Sequence, residues 1–277
     1  MKNKMTIKEL LNYGYCYQSK NDVKLLLSSI LNINQLELNL HLEEKVSDRL
    51  KDTYYEAISL LNEGEPLQYV LSNACFYGYN YYVNKNVLIP RFETEELVYN
   101  TLEYLKKIKP DAKVLDLCTG SGCIGLTLKM ELPTLSVTMS DISNKALEVA
   151  KVNKEKYNVI CDIVESDLFE NITDKFDCII SNPPYIGKDE EVMELVKNNE
   201  PSLALYADNN GLAMYEEIFK EAKKYLSKSF LMAFELNSNK SKEIYELASK
   251  YFKNSQLIIK KDNCNRDRIL FILNNFE

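Results

Sequence analysis

Beyond residue 110 the chain alternates short apolar runs with amphipathic stretches of helix length, and this rhythm restricts the fold more than any other feature. Val114-Leu115-Asp116-Leu117 reads as a buried strand, and a glycine-rich turn from Thr119 to Gly125 opens a helix through Leu128. Leu135 to Met139 reads as a second strand closed by Ser140-Asp141. The helix after it has Ser143 as cap and turns Ala146, Leu147 and Ala150 inward. Further strands are expected at Ile160 to Val164, Phe176 to Ile180, Phe230 to Phe234, Leu257 to Ile259 and Ile269 to Leu273, with a long helix over Leu212 to Leu226. Apolar strands separated by helices need both sheet faces covered, which means an α/β fold with a mostly parallel sheet. Only residues 260–268 separate the last two strands, too few for a crossover helix, so the final strand is expected to return antiparallel.

The first part of the chain has a different texture. Val23, Leu26, Leu27, Ile30 and Leu31 recur at helical spacing, and a second helix is marked by Ser47 as cap, a stripe of Leu50, Tyr54, Ile58 and Leu61, and a stop at Gly64 and Pro66. These stripes predict a small helical bundle. Aromatic residues around Gly78, from Cys75 to Val83, then predict a hairpin. The expected organisation is a helical domain over residues 1–73, a β-hairpin linker over 74–86 and an α/β domain over 87–277.

Composition removes several chemistries. The single histidine, His41, lies between the predicted helices, so a Ser-His-Asp triad, a zinc cluster or a two-histidine iron site is not expected, and no metal is assigned. Seven scattered cysteines without a C-x-x-C pair read as reduced thiols of a cytoplasmic protein. The N-terminus leads into no apolar h-region, and no run approaches ~18 apolar residues, so neither a signal peptide nor a membrane span is expected. Thirty-four basic against 41 acidic side chains give a net charge of −7, which disfavours a broad phosphate-gripping face.

In an open sheet of this kind ligands sit beyond the carboxyl ends of the strands. Asp116-Leu117-Cys118-Thr119-Gly120-Ser121-Gly122-Cys123-Ile124-Gly125 occupies such a place, and its glycines allow backbone to approach a ligand closely. Gly120, Gly122 and Gly125 fit G-x-G-x-x-G with Asp141 as a ribose-binding acid, which suits NAD. The same residues suit S-adenosylmethionine, with Asp116 ending the first strand, the turn passing the methionine portion and Asp141 taking the ribose hydroxyls. The turn alone does not choose between them.

A second segment does. Ser181-Asn182-Pro183-Pro184-Tyr185-Ile186 follows a buried strand where the sheet delivers functional residues. An amide or ring amine is a poor methyl acceptor because its lone pair is delocalised. Two acceptors that fix its two N–H bonds can aim that lone pair at a sulfonium methyl. The Asn182 side-chain oxygen and the Pro183 carbonyl suit this task on a turn stiffened by Pro183 and Pro184, and Tyr185 can pack over the planar group. Such catalysis works by positioning, worth up to roughly 7–11 kcal/mol. Hydride transfer needs none of these parts.

These segments resemble class I S-adenosylmethionine-dependent methyltransferases of the amino-methylating branch. Pro66-Leu67-Gln68-Tyr69-Val70, Phe76-Tyr77-Gly78, Val87-Leu88-Ile89-Pro90-Arg91-Phe92-Glu93-Thr94-Glu95 and Glu200-Pro201-Ser202-Leu203-Ala204-Leu205 narrow the resemblance to the HemK-like peptide chain release factor N5-glutamine methyltransferases. The resemblance implies methylation of the glutamine amide in the Gly-Gly-Gln loop of class 1 release factors. It implies a Rossmann-like catalytic domain behind a helical substrate-recognition domain, in a protein expected to be monomeric and without stable nucleic-acid binding. Glutamine methylation of a ribosomal protein, or amino-methylation of a nucleic-acid base, are the neighbouring activities. Carried over by motif, Asp116, Cys118, Thr119, Gly120, Ser121, Gly122, Asp141, Leu168 and Asn182 would bind the cofactor, with S-adenosylhomocysteine as product. Asn182, Pro183, Pro184 and Tyr185 would hold the glutamine, with Asn182, Pro183 and Tyr185 as the catalytic set. The chain departs from the family pattern at Cys118, where glycine is usual, and at Phe92, where proline is common. Glu235-Leu236-Asn237 and the segment 262–268 each lack a usual glycine.

Overall fold

The computed structural model describes residues 4–276, which fold as two units: the chain up to Asn73 together with Met193–Asn199, and Ala74–Val192 together with Glu200–Glu277. The predicted boundary after residue 73 therefore has a sequel the sequence did not signal, since the two-turn helix Glu194–Asn199 returns to the first unit. Its Asn199 amide donates to the Gly64 carbonyl at 2.9 Å. The predicted linker hairpin is grouped with the second unit.

The first unit is built on helices Ile7–Gly14, Lys20–Leu31 and Asp48–Asn62. Thr6 and Glu9 form a reciprocal capping box, and Ser19 and Ser47 cap the next two helices. Leu10, Val23, Leu26, Leu27, Tyr54 and Ile58 make the buried core. The Tyr54 hydroxyl donates to the Leu10 carbonyl at 3.1 Å, over a Gly14 whose added Cβ would lie 2.1 Å from the Tyr54 hydroxyl oxygen. Gly64, at φ +95°, ends the third helix in the left-handed region.

The second unit opens with the hairpin β1 (Ala74–Phe76) and β2 (Tyr79–Tyr81). Its two turn residues, Tyr77 and Gly78, both have positive φ, as the twist of a two-residue hairpin loop demands. Helix Phe92–Ile108 follows, burying Leu97, Val98, Leu102 and Leu105. The sheet comprises β3 (Lys113–Leu117), β4 (Ser136–Asp141), β5 (Asp162–Glu165), β6 (Phe176–Ser181), β7 (Leu226–Glu235), β8 (Gln256–Lys261) and β9 (Asp267–Asn274). Their order is β5-β4-β3-β6-β7-β9-β8. The first five strands are parallel, and β9 runs antiparallel to both β7 and β8. Alternate residues feed two cores, one on each face: Val114, Cys178 and Ile180 on one side, Leu115, Leu117 and Ile179 on the other.

Several predicted elements differ from their expected bounds, β7 among them, which begins at Leu226 rather than Phe230. β5 begins at Asp162, because Ile160 is 86% exposed and only Cys161 turns inward. The predicted helix over Leu212 to Leu226 is helical only over Ala213–Glu221, tightens into a 3₁₀ turn at Ala222–Lys224, and gives way at Leu226 to β7. Leu226 pairs with Phe176, across a register shift that lets polar Ser227, Lys228 and Ser229 enter the strand ahead of its apolar run.

Candidate active site

β3 is the point from which the parallel strands run in two directions, β4 and β5 on one side and β6 and β7 on the other. Leu117 of β3 stands opposite Ser181 of β6, and the Ser181 hydroxyl donates to the Leu117 carbonyl at 2.6 Å. The glycine turn and the Asn-Pro-Pro-Tyr segment therefore leave the sheet side by side, at the switch point where α/β sheets open a crevice.

The glycine turn is folded over a buried acid. Asp116 accepts from the Thr119 hydroxyl at 2.5 Å and from the Gly125 amide at 2.8 Å through the same oxygen, while its other oxygen has no partner among the described residues. Burial pushes its pKa up to about 7 against these two hydrogen bonds. Gly125 is required there, since a Cβ would lie 2.9 Å from the carboxylate and 2.8 Å from Met139. Cys118, Gly120 and Gly122 all have positive φ, so Cys118 holds at +61° a conformation that glycine adopts without strain. Asp141 braces the turn from β4, accepting from the Gly120 and Ser143 amides at 2.9 Å each. Burial raises its pKa, opposed by those amides. Asn153 ties the turn to the hairpin region, donating to the Ser121 and Tyr82 carbonyls and accepting from the Tyr82 amide.

The elbow after β6 is held by residues from elsewhere in the unit. The Asn182 amide nitrogen donates to Thr94 Oγ1 at 3.3 Å, and the Thr94 hydroxyl donates to Glu235 Oε2 at 2.6 Å. The Tyr185 hydroxyl donates to the other Glu235 oxygen at 3.2 Å, and the Tyr215 hydroxyl to the Glu235 carbonyl at 2.6 Å. Desolvation raises the pKa of the fully buried Glu235, while Thr94 and the field of Arg268 pull it down. Behind the elbow, Gly211 lies so close that an added Cβ would sit 2.2 Å from the Tyr185 carbonyl oxygen. Asn237 donates to that carbonyl and to Glu190, which also receives Lys240.

Both turns open onto one cavity. Cys118, Thr119, Gly120, Ser121, Asp141 and Leu168 wall one part of it, and Asn182 and Pro184 another. Pro90, Arg91 and Thr94 face it from the start of helix Phe92–Ile108, and Pro201, Leu203, Ala204 and Tyr206 from the segment after residue 200. Arg91 joins these two walls, donating to Glu200 at 2.5 Å, while the other Glu200 oxygen accepts from the Ile89 amide at 3.0 Å. Four predicted site residues stand behind the wall. Asp116 lies under the turn, Gly122 is buried within it, Pro183 is buried, and Tyr185 sends its hydroxyl to Glu235.

Residues 96–246 match the methyltransferase small domain family, and residues 6–71 match the PrmC N-terminal domain. The release factor glutamine methyltransferase of Leptospira interrogans is 41% identical over 198 residues, covering 68% of each chain. The chain belongs to the release factor glutamine methyltransferase family. The enzyme of the same name from Streptococcus pneumoniae is 37% identical over 231 residues, 82% of this chain and 81% of that one. A methyltransferase from Pyrococcus furiosus shares the fold, with a TM-score of 0.53 at 14% identity over 82% of this chain and 98% of the other. As a member of this family the chain is a methyltransferase, and the oxidoreductase reading of its glycine turn lapses.

Sequence reasoning found both turns and missed their supports. Arg91, Thr94 and Glu200 lay in segments that carried the family resemblance but no role, and Glu235 was noted only for a missing glycine nearby. A buried acid at the end of a central strand was the one available signal for Glu235.

Proposed function

We propose that this chain transfers a methyl group from S-adenosylmethionine to the side-chain amide nitrogen of the glutamine in the Gly-Gly-Gln motif of class 1 release factors. The observation that carries the reading is the Leu117–Ser181 register, which starts the glycine turn and the Asn182 elbow side by side over one cavity. Family membership, through relatives named for this activity, supports the substrate.

The cavity suits the cofactor chemically. Asp141 spends one lone pair of each oxygen on backbone amides and keeps others for ribose hydroxyls. Apolar Leu88, Ile142 and Leu168 suit a flat base, and an added Cβ at Gly120 would meet open space, so nothing crowds that approach. When bound, S-adenosylmethionine supplies an electrophilic methyl on a sulfonium.

The chain's own residues supply position. The Asn182 side-chain oxygen and the Pro183 carbonyl accept the two N–H bonds of the glutamine amide and so aim its lone pair across the cavity. Asn182 is neutral and takes no proton; the amide nitrogen loses its proton after transfer. Two prolines limit how far the acceptors can drift, which is where the gain over solution arises.

Incubation with methyl-labelled S-adenosylmethionine and an intact release factor, alongside a Gly-Gly-Gln→Gly-Gly-Ala version, tests the reading. Label confined to the glutamine of the first substrate is expected; label on both substrates, or on neither, removes the assignment.

A further inference from the structure

The hydrogen bonds around Glu235 run in one direction only. Burial raises the pKa of Glu235, while the Thr94 and Tyr185 hydroxyls and the field of Arg268 favour its ionised form; an ionised carboxylate accepts and cannot donate. Glu235 Oε2 lies 2.6 Å from Thr94 Oγ1, so the single Thr94 proton is committed to it. The Thr94 oxygen is then left with lone pairs alone for its contact with Asn182 at 3.3 Å. Only the NH₂ end of the Asn182 carboxamide can face a lone pair, and a flipped carboxamide would set oxygen against oxygen. We propose that Thr94 and Glu235 are positioning residues that lock the Asn182 carboxamide so that its oxygen, rather than its NH₂, faces the bound substrate.

The consequence for the reaction is specific, and it rests on the methyl-transfer reading above. A glutamine amide presents two N–H donors, so the group that receives it must be an acceptor. A flipped Asn182 offers a donor to a donor and turns the guest away from the reacting geometry. A free asparagine flips easily because its two ends have nearly the same shape, and a preorganised one does not. The second Glu235 oxygen takes the Tyr185 hydroxyl, so one carboxylate fixes both the first and the last residue of the elbow. The site is dry enough for this to matter: Thr94 is 3% exposed and Glu235 1%. Its position at the end of β7, next to the elbow's strand β6, makes the arrangement a product of sheet order rather than of loop sequence.

Thr94→Val keeps the shape and deletes the relay, and the smaller Thr94→Ala deletes it without added bulk should valine not be accommodated. Wild type is assayed first with labelled S-adenosylmethionine and an intact release factor; failure to label the Gly-Gly-Gln glutamine defeats the functional reading and not the relay alone. With wild type active, Thr94→Val is expected to lower kcat by about tenfold or more, the value of one oriented hydrogen bond, with KM for S-adenosylmethionine unchanged. Thr94→Ser restores the hydroxyl and recovers most of the turnover. In an Asn182→Ala background the Thr94 substitution costs nothing further, because its effect passes through Asn182. A kcat within twofold of wild type for Thr94→Val, a Thr94→Ser enzyme as slow as the valine variant, or a full additional loss in the Asn182→Ala background would each overturn the relay.

Discussion

The two turns that open onto the cavity start from adjacent strands and are held in opposite ways. The glycine turn is supported largely from within: Asp116 grips Thr119 and Gly125 of its own segment, while Asp141, Asn153 and the Ser140 carbonyl reach in from neighbouring elements. The Asn-Pro-Pro-Tyr elbow is stiff along its own backbone but oriented by Thr94, Glu235, Asn237 and Gly211, all distant in the chain. A turn that wraps a ligand can be assembled locally. A turn that must present one oxygen in one direction needs fixed points supplied by the rest of the domain.

The largest test of this contrast is Asn182→Ala, expected to lower turnover by at least ~10²-fold, comparable to losing an oriented transition-state donor, while the circular dichroism spectrum is retained. Unchanged turnover would leave the elbow without a catalytic part. Next come the two supporting glycines. Gly211→Ala forces a Cβ against the Tyr185 carbonyl at a φ of +83°, and is expected to cut methyl transfer by roughly tenfold or more while calorimetric affinity for S-adenosylmethionine is largely kept. Gly125→Ala crowds Asp116 and is expected to do the reverse, weakening cofactor affinity first. If both variants lose affinity and turnover in the same proportion, the two turns act as one unit and the contrast fails.

A smaller effect follows from the buried acid. With its folded pKa raised from 3.8 to about 7, Asp116 holds a proton in the native state that it releases on unfolding. Its contribution to stability is complete below pH 3.8 and is lost as pH rises to about 7. Asp116→Asn keeps an acceptor for Thr119 and Gly125 without the ionisation, so its stability relative to wild type should increase between pH 5 and 8, by about 3 kcal/mol at most. Denaturant melts of both proteins across that range check the sign; a pH-independent difference would mean that Asp116 stays ionised. Least of all, Cys118→Gly relieves a left-handed side chain but loosens the unfolded chain, and the two terms should cancel to within about 1 kcal/mol in the same melts.

The contrast also explains what could be read from the sequence. The glycine turn was legible because its acid, its glycines and its helix are contiguous, and the buried strands around it were legible from unbroken apolar runs. Asn182 and its prolines were legible for the same reason. The supports of the elbow were not: Asn182 meets Thr94 across 88 residues, and Thr94 meets Glu235 across 141. Arg91 and Glu200, 109 residues apart, form an ion pair that no local pattern announces. The first residues of β7 escaped notice for the converse reason, since Ser227, Lys228 and Ser229 carry no strand signal and owe their conformation to pairing beside β6. Tyr185 was identified as a site residue, but its hydroxyl goes to a carboxylate that the sequence placed nowhere near it.

Cys118 contributes a sulfur to the wall of the cavity, and desolvation, with Asp141 and Asp116 nearby, drives its pKa well above the ordinary thiol range. Alkylation of cysteine proceeds through the anion, and here the anion is suppressed. On the methyl-transfer reading, a cavity that takes an alkyl donor thus keeps the thiol in its own lining in the less nucleophilic, protonated form.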